Sequence, residues 1–200
     1  MKKILLLLFI TLSGCCKERF AGSFLITDYE RNLIPYRSAS EITFVDQDNS
    51  AHTARTEPLV IERSVMDNCA DCCEDIEVES AINEIQFNNN RQELSILLRT
   101  TEFSTNFRIL YREIDRDAGI VTLLESSCIE EYTEGRPLDD YVTDLYKGYG
   151  FEFTNVLVLN DCIDPLVPES NLKLETIVFS PENGIELVGF KDGTYLKLQQ

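Results

Sequence analysis

Histidine is nearly absent from this chain of 200 residues: His52 is the only one. A zinc hydrolase of the HExxH type needs two histidines on one helix face, so that chemistry is excluded. A Ser-His-acid triad would also need a nucleophile motif, and no G-x-S-x-G occurs. Glycine-rich phosphate loops are missing as well. Basic side chains are scarce, 18 against 35 acidic ones, for a net charge of −17. Such a surface repels a phosphate backbone, so nucleic acid is not an expected partner. After Leu12 no apolar run is long enough to cross a bilayer, which takes about 20 residues. No stretch carries a sustained 3.6-residue apolar period, which argues against a helical fold.

What is present is strand after strand. Ile42-Thr43-Phe44-Val45 precedes the polar turn 46–50. Pro58 to Val65 is a second apolar-rich run. Ile76-Glu77-Val78-Glu79 alternates, and Ile82–Phe87 and Leu94–Thr100 flank the hairpin signal Asn88-Asn89-Asn90. Phe107, Ile109 and Tyr111 alternate with Arg108 and Arg112. Ile120–Leu124, Phe151–Leu159, Leu172–Phe179, Ile185–Phe190 and Thr194–Leu198 complete the set, and Lys191-Asp192-Gly193 reads as a tight turn. Tyr141–Tyr146 fits a strand or a short helical turn. Short strands at roughly ten-residue spacing predict an all-β fold, a mostly antiparallel sandwich or half-open barrel. The hydrophobic fraction of 44% supplies a core for one domain.

The first sixteen residues, MKKILLLLFITLSGCC, have a different character. Lys2 and Lys3 precede an apolar run from Ile4 to Leu12, followed by the small residues Ser13 and Gly14. That is the layout of a secretory signal. Leu12-Ser13-Gly14-Cys15 resembles the lipobox of bacterial lipoproteins. The resemblance implies cleavage before Cys15, diacylglycerol on its thiol and a second acyl group on the new amine. Two lipid signals are what stable anchoring requires. The residue after Cys15 is not Asp, so the usual inner-membrane retention signal is missing. Cys16-Lys17-Glu18 resembles the Lys-acidic tag of outer-membrane lipoproteins of the Bacteroidota. Residues 1–14 are thus expected to be a signal peptide, 15–23 the lipidated cysteine and a short tether, and 24–200 one β-rich domain. Loss of Lys2 and Lys3 leaves a mature charge of −19, which reads first as solubility. The C-terminal ribbon, with Asn183-Gly184-Ile185 and Asp192-Gly193-Thr194-Tyr195-Leu196, is similar to the closing pattern of small lipoproteins of the Bacteroidota; that likeness implies fold and placement only. Tyr195 stands where tryptophan is common, and the chain has no tryptophan.

Export makes disulfides permissible. With Cys15 set aside, Cys16 and the candidate disulfide residues Cys69, Cys72, Cys73, Cys128 and Cys162 remain, and six cysteines allow 15 full pairings. Cys69-Ala70-Asp71-Cys72-Cys73 lacks the histidine of a haem-attachment motif and has no second CxxC to complete a zinc site. A disulfide-stapled loop is the expectation, with no metal and no cofactor. His52, in Ser50-Ala51-His52-Thr53, reads as an exposed turn residue. Asp46-Gln47-Asp48 and Asp115-Arg116-Asp117-Ala118-Gly119 resemble fragments of calcium loops without the distal Glu, and read as turns. Tyr141, Tyr146, Tyr149, Phe151 and Phe153 read as core aromatics, with a binding groove as the alternative. These features together predict a lipid-anchored, non-catalytic module of the cell envelope, held to the outer membrane on its periplasmic or surface face. Its protein or small-molecule partner is not legible. The alternatives are a barrel carrying an apolar ligand and a hydrolase built on paired carboxylates.

Overall fold

The structure is a computed structural model, and it describes residues 19–67, 74–89, 91–100, 105–115, 120–129, 138–161 and 173–200. Thirteen strands follow in chain order: β1 (Arg19–Phe24), β2 (Ser40–Asp46), β3 (Ala51–Thr56), β4 (Val60–Asp67), β5 (Glu74–Phe87), β6 (Gln92–Thr100), β7 (Thr105–Asp115), β8 (Ile120–Ile129), β9 (Thr143–Gly148), β10 (Phe151–Asp161), β11 (Leu174–Ser180), β12 (Gly184–Phe190) and β13 (Tyr195–Leu198). One short helix, α1 (Asp28–Leu33), lies between β1 and β2. The all-β, antiparallel expectation holds. Instead of staying half open, the sheet closes: ten strands run β5-β3-β2-β13-β12-β11-β10-β8-β7-β6, and β6 pairs back onto β5.

Period-two alternation fills this barrel with apolar side chains. Leu94, Ile96 and Leu98 of β6 stand opposite Tyr111, Ile109 and Phe107 of β7. All six are buried in one cluster with Phe44, Ile85, Phe87, Leu157, Leu159, Ile177, Phe179, Ile185 and Val188. Each fully buried aliphatic chain contributes about 1.5–3 kcal/mol. The alternate positions of β7, Asn106, Arg108, Leu110 and Arg112, face outward, where Arg108 donates to Asn106 and Arg112 to Glu93.

One end of the barrel is stoppered by the segment from Ile26 to Tyr36, which sends Ile26, Leu33, Ile34 and Tyr36 into the core. Helix α1 in this segment forms because Thr27 and Glu30 make a reciprocal capping box: the Glu30 amide donates to Thr27 Oγ1 at 3.2 Å, and the Thr27 amide donates to Glu30 Oε2 at 2.8 Å. Pro35 prevents its continuation. Tyr36 then pins the β11–β12 turn. Its hydroxyl donates to the Asn183 carbonyl at 3.2 Å and accepts from the Ile185 amide at 2.9 Å. Gly184, at φ +78°, leaves the space that the Tyr36 ring occupies.

Strand β5 is twice the usual length. The runs Ile76–Glu79 and Ile82–Phe87 are one strand, because Ser80 and Ala81 continue the ladder between them. Residues 80–86 close the barrel against β6, while residues 74–78 lie beyond it, flanked by β1 in parallel and β4 in antiparallel pairing. Strand β1 begins at Arg19, so part of the expected tether is sheet. Where β5 leaves the barrel, Glu79 is almost fully buried. Its carboxylate accepts from Arg63 Nε at 2.8 Å, Arg31 Nη2 at 2.9 Å and the Ile26 amide at 3.0 Å. Burial pushes this carboxyl up, but the two guanidiniums and the amide outweigh it and hold it below the ordinary glutamate range. Glu79 therefore ties α1 and β4 to the barrel rim.

The β9–β10 hairpin is a flap outside the barrel. Residues 151–156 of β10 pair with β9, and only residues 157–161 enter the wall, against β11 and β8. Between the halves Asn155 takes φ +56°, a conformation asparagine tolerates well. The flap buries Phe153 and Val156 on Val178 of β11 and Leu187 of β12, residues that face away from the barrel interior.

Candidate functional site

The site is built by the flap and the wall it covers. Aromatics fasten the flap. Phe151 meets Tyr195 edge to face at 5.3 Å between ring centroids, and Lys197 Nζ lies 5.2 Å from the Phe151 centroid. At the tip Tyr149 takes φ +55°, which is uncommon for a bulky residue. It is held there because its ring rests on Gly189, where no side chain fits, and its hydroxyl donates to Glu175 and, at 3.2 Å, to the Phe190 carbonyl. Burial and the Glu175 carboxylate both push this phenol well above its ordinary range, so it stays protonated. Of the expected core aromatics Phe153 is buried in a second core on the outer wall, with Tyr146, Tyr149 and Phe151 partly buried against it, and Phe153 also borders a groove. Tyr141 packs on the main core instead, from a short 3-10 turn (Leu138–Tyr141) that precedes β9.

Beside this clamp, between flap and barrel, lies an open groove of about 1180 Å³. Glu152, Phe153, Thr154 and Asn155 of β10 form one wall. Glu41, Ile42 and Thr43 of β2, with Leu198 and Gln199, form the other, and the β11–β12 turn from Ser180 to Asn183 closes an end. Glu41, Glu152, Glu182 and Glu186 all border it, and no Lys, Arg or His does. Glu152 pairs with Lys147 on the flap, and Glu186 accepts from the Asn183 side chain at 3.2 Å.

A smaller cavity of about 410 Å³ opens at the far end of the barrel, among Gln92, Tyr111, Glu113, Lys173 and Phe190. Its polar groups are mutually satisfied. Tyr111 accepts from Gln92 at 2.9 Å and donates to Glu113 at 3.1 Å, and Lys173 pairs with Glu113 at 2.8 Å. Burial first, then Glu113, pushes the Tyr111 phenol up, so it does not serve as an acid near neutral pH. Neither cavity is lined only by apolar side chains.

His52 departs from its expected place. It lies on β3, half-buried, and its Nε2 meets Asp46 Oδ2 at 2.9 Å. The other Asp46 oxygen accepts from the Asp48 and Ser50 amides, both at 2.9 Å. The His52 bond, then these amides, hold the Asp46 carboxyl below its ordinary range. The Asp46-Gln47-Asp48 stretch is therefore a turn, as its residues predict, with Asp46 spent on the turn itself. Asp115 ends β7, and residues 116–119 lie outside the described residues. Among the described residues no three His, Cys, Asp or Glu side chains gather as metal ligands.

The buried acids are also committed. Glu125 accepts from the Lys173 amide at 2.7 Å and from the Leu174 amide, seating the start of β11. Glu30 serves the capping box and Glu79 the rim. Cys128 is half-buried on β8 and engaged with a partner. Cys15, Cys16, Cys69, Cys72, Cys73 and Cys162 lie outside the described residues. Sequence reasoning missed the groove itself: Glu41, Glu182 and Glu186 come together because β2, β13, β12 and β11 are neighbours in the barrel wall, and the fold of the flap at Asn155 brings Glu152 opposite them.

Comparison of the chain with known protein families, curated proteins and solved structures finds no match.

Proposed function

We propose that this chain is an exported, lipid-anchored envelope protein that binds a partner on the outer wall of its barrel and performs no catalysis. The observation that carries the binding part is the contrast between a filled barrel interior and the larger open groove outside it. A ligand carried inside would have to displace Ile96, Ile109, Leu157 or Phe179, each fully buried. The anchoring part rests on Leu12-Ser13-Gly14-Cys15 and its likeness to a lipobox, which makes Cys15 the lipid attachment site and the outer membrane the address. Among the described residues each buried acid is bonded to partners of its own, which supports binding over hydrolysis. The same export would allow disulfides among Cys69, Cys72, Cys73, Cys128 and Cys162.

The experiment is fractionation of cells making the wild-type chain or Cys15→Ala. The wild type is expected in the membrane fraction, released only by detergent, and Cys15→Ala is expected to lose the mass of the acyl groups and that behaviour. An unchanged distribution and an unchanged mass would sink the anchoring proposal. Peptide mapping without reductant tests the disulfides.

A further inference from the structure

Two features of the groove have separate origins and agree on one ligand. The first is an open sheet edge. Residues 152–154 and 156 of β10 are paired with β9 on one side. On the other side this half of β10 has no strand partner among the described residues. Glu152 to Asn155 line the groove, and no residue of β9 does. Backbone groups on such an edge are a template for an added strand. The three extended residues 152–154 span about 10 Å at 3.3 Å per residue, before the bend at Asn155. The cavity, about 1180 Å³, is larger than most small-molecule sites, which run about 300–1,000 Å³, and it is open rather than enclosed.

The second feature is charge. Elsewhere on the surface some carboxylates are matched, Glu93 by Arg112, Glu113 by Lys173 and Glu57 by Arg55, although acids outnumber bases over the whole chain. Around the groove Glu41, Glu182 and Glu186 have no ion-pair partner among the described residues, and no cation shares the lining. These three stand across the cavity from the β10 edge, on β2, the β11–β12 turn and β12. An added strand would present alternate side chains toward them, and those side chains must be cationic to be favoured.

We propose that the groove binds an extended basic segment of a partner protein, added as a strand to the open edge of β10 with its Lys or Arg side chains facing Glu41, Glu182 and Glu186. This rests on the outer-wall binding proposal above and names its ligand class. It is independent of the lipid anchor.

The test titrates the full-length chain, held in mild detergent, with a fluorescein-labelled octapeptide of alternating Lys and Val, read by fluorescence anisotropy at low and at physiological salt. Saturable binding is expected, weakened by salt. It should fall about tenfold in the double variant Glu41→Lys, Glu182→Lys, whose exposed sites leave the urea midpoint unchanged. It should fall similarly when alternate backbone amides of the peptide are N-methylated, which keeps the charge and removes strand donors. Absence of saturable binding overturns the proposal. So does equal affinity for an alternating Glu and Val peptide, for the N-methylated peptide, or in the double variant. Peptide binding by a chain whose Cys15→Ala form fractionates like wild type would keep the groove and discard the anchor.

Discussion

The barrel interior and the flap are both β-sheet cores, yet they are held by different means. Inside, aliphatic and aromatic side chains from ten strands pack together and the ladder has no edge. Under the flap, a few aromatics, two tyrosine hydroxyl bonds and one close approach at Gly189 hold a two-stranded hairpin to a wall. The first core resists change because its closure couples every strand. The second has little area and open edges, so it is the part that can shift to admit a ligand.

Breaking the interior should cost most. Ile96→Ala or Ile109→Ala removes a fully buried side chain from the closed sheet and is expected to lower global stability by about 3–4 kcal/mol in urea titration. Loss under about 1 kcal/mol would mean the interior is less tightly filled than described.

The rim comes next. Glu79→Gln leaves two partly exposed guanidiniums facing a neutral amide, and roughly 2–3 kcal/mol should be lost. The pH dependence has a definite sign. Because the folded-state carboxyl is held below its unfolded value, its contribution is complete above the unfolded glutamate pKa. It disappears as pH falls through the folded value. Stability of the wild type should therefore fall more steeply on acidification than that of Glu79→Gln, and parallel acid limbs would remove Glu79 from this role.

The flap should respond locally. Gly189→Ala places a methyl group under the Tyr149 ring and is expected to cost about 1–2 kcal/mol, with faster amide exchange at Leu145 to Gly148 and little change in β6 and β7. Uniformly faster exchange would mean that flap and barrel are one cooperative unit. Tyr149→Phe, which keeps the ring and removes the hydroxyl bonds, should cost the least, about 1 kcal/mol, and show in the same amides.

Much of the fold is legible in the order of the residues. The alternation of Phe107, Ile109 and Tyr111 marks the inward face of β7, and the Asn88-Asn89 turn joins β5 and β6 where expected. There the reason differs in detail: Asn89 Oδ1 accepts from the Arg91 amide at 2.9 Å, an Asx turn. Other elements are hidden. Strand β3 buries only Ala54 and Thr56, so His52 and its neighbours resemble a polar turn until β2 and β5 supply the ladder. Helix α1 carries a signal in the capping pair Thr27 and Glu30, but six residues are too few for a periodic pattern. The groove is not legible at all. Its acids are spread over β2, β10, the β11–β12 turn and β12, among 35 acidic residues with nothing local to mark them.

What the sequence determined by itself is the class of sheet, the sign of the charge and an N-terminal stretch resembling a lipoprotein address. A side-chain period of two and the turn residues suffice for the first, because each strand must bury one face. The tertiary structure alone decided which strands distant in the chain become neighbours, β13 beside β2 and β3 beside β5, so that the ring closes, and that β10 bends at Asn155 to lay a flap over the outer wall. Alternation says which side of a strand is buried but is silent about which partner covers it. That choice depends on contacts between residues far apart in the chain, as when Tyr36 pins Ile185.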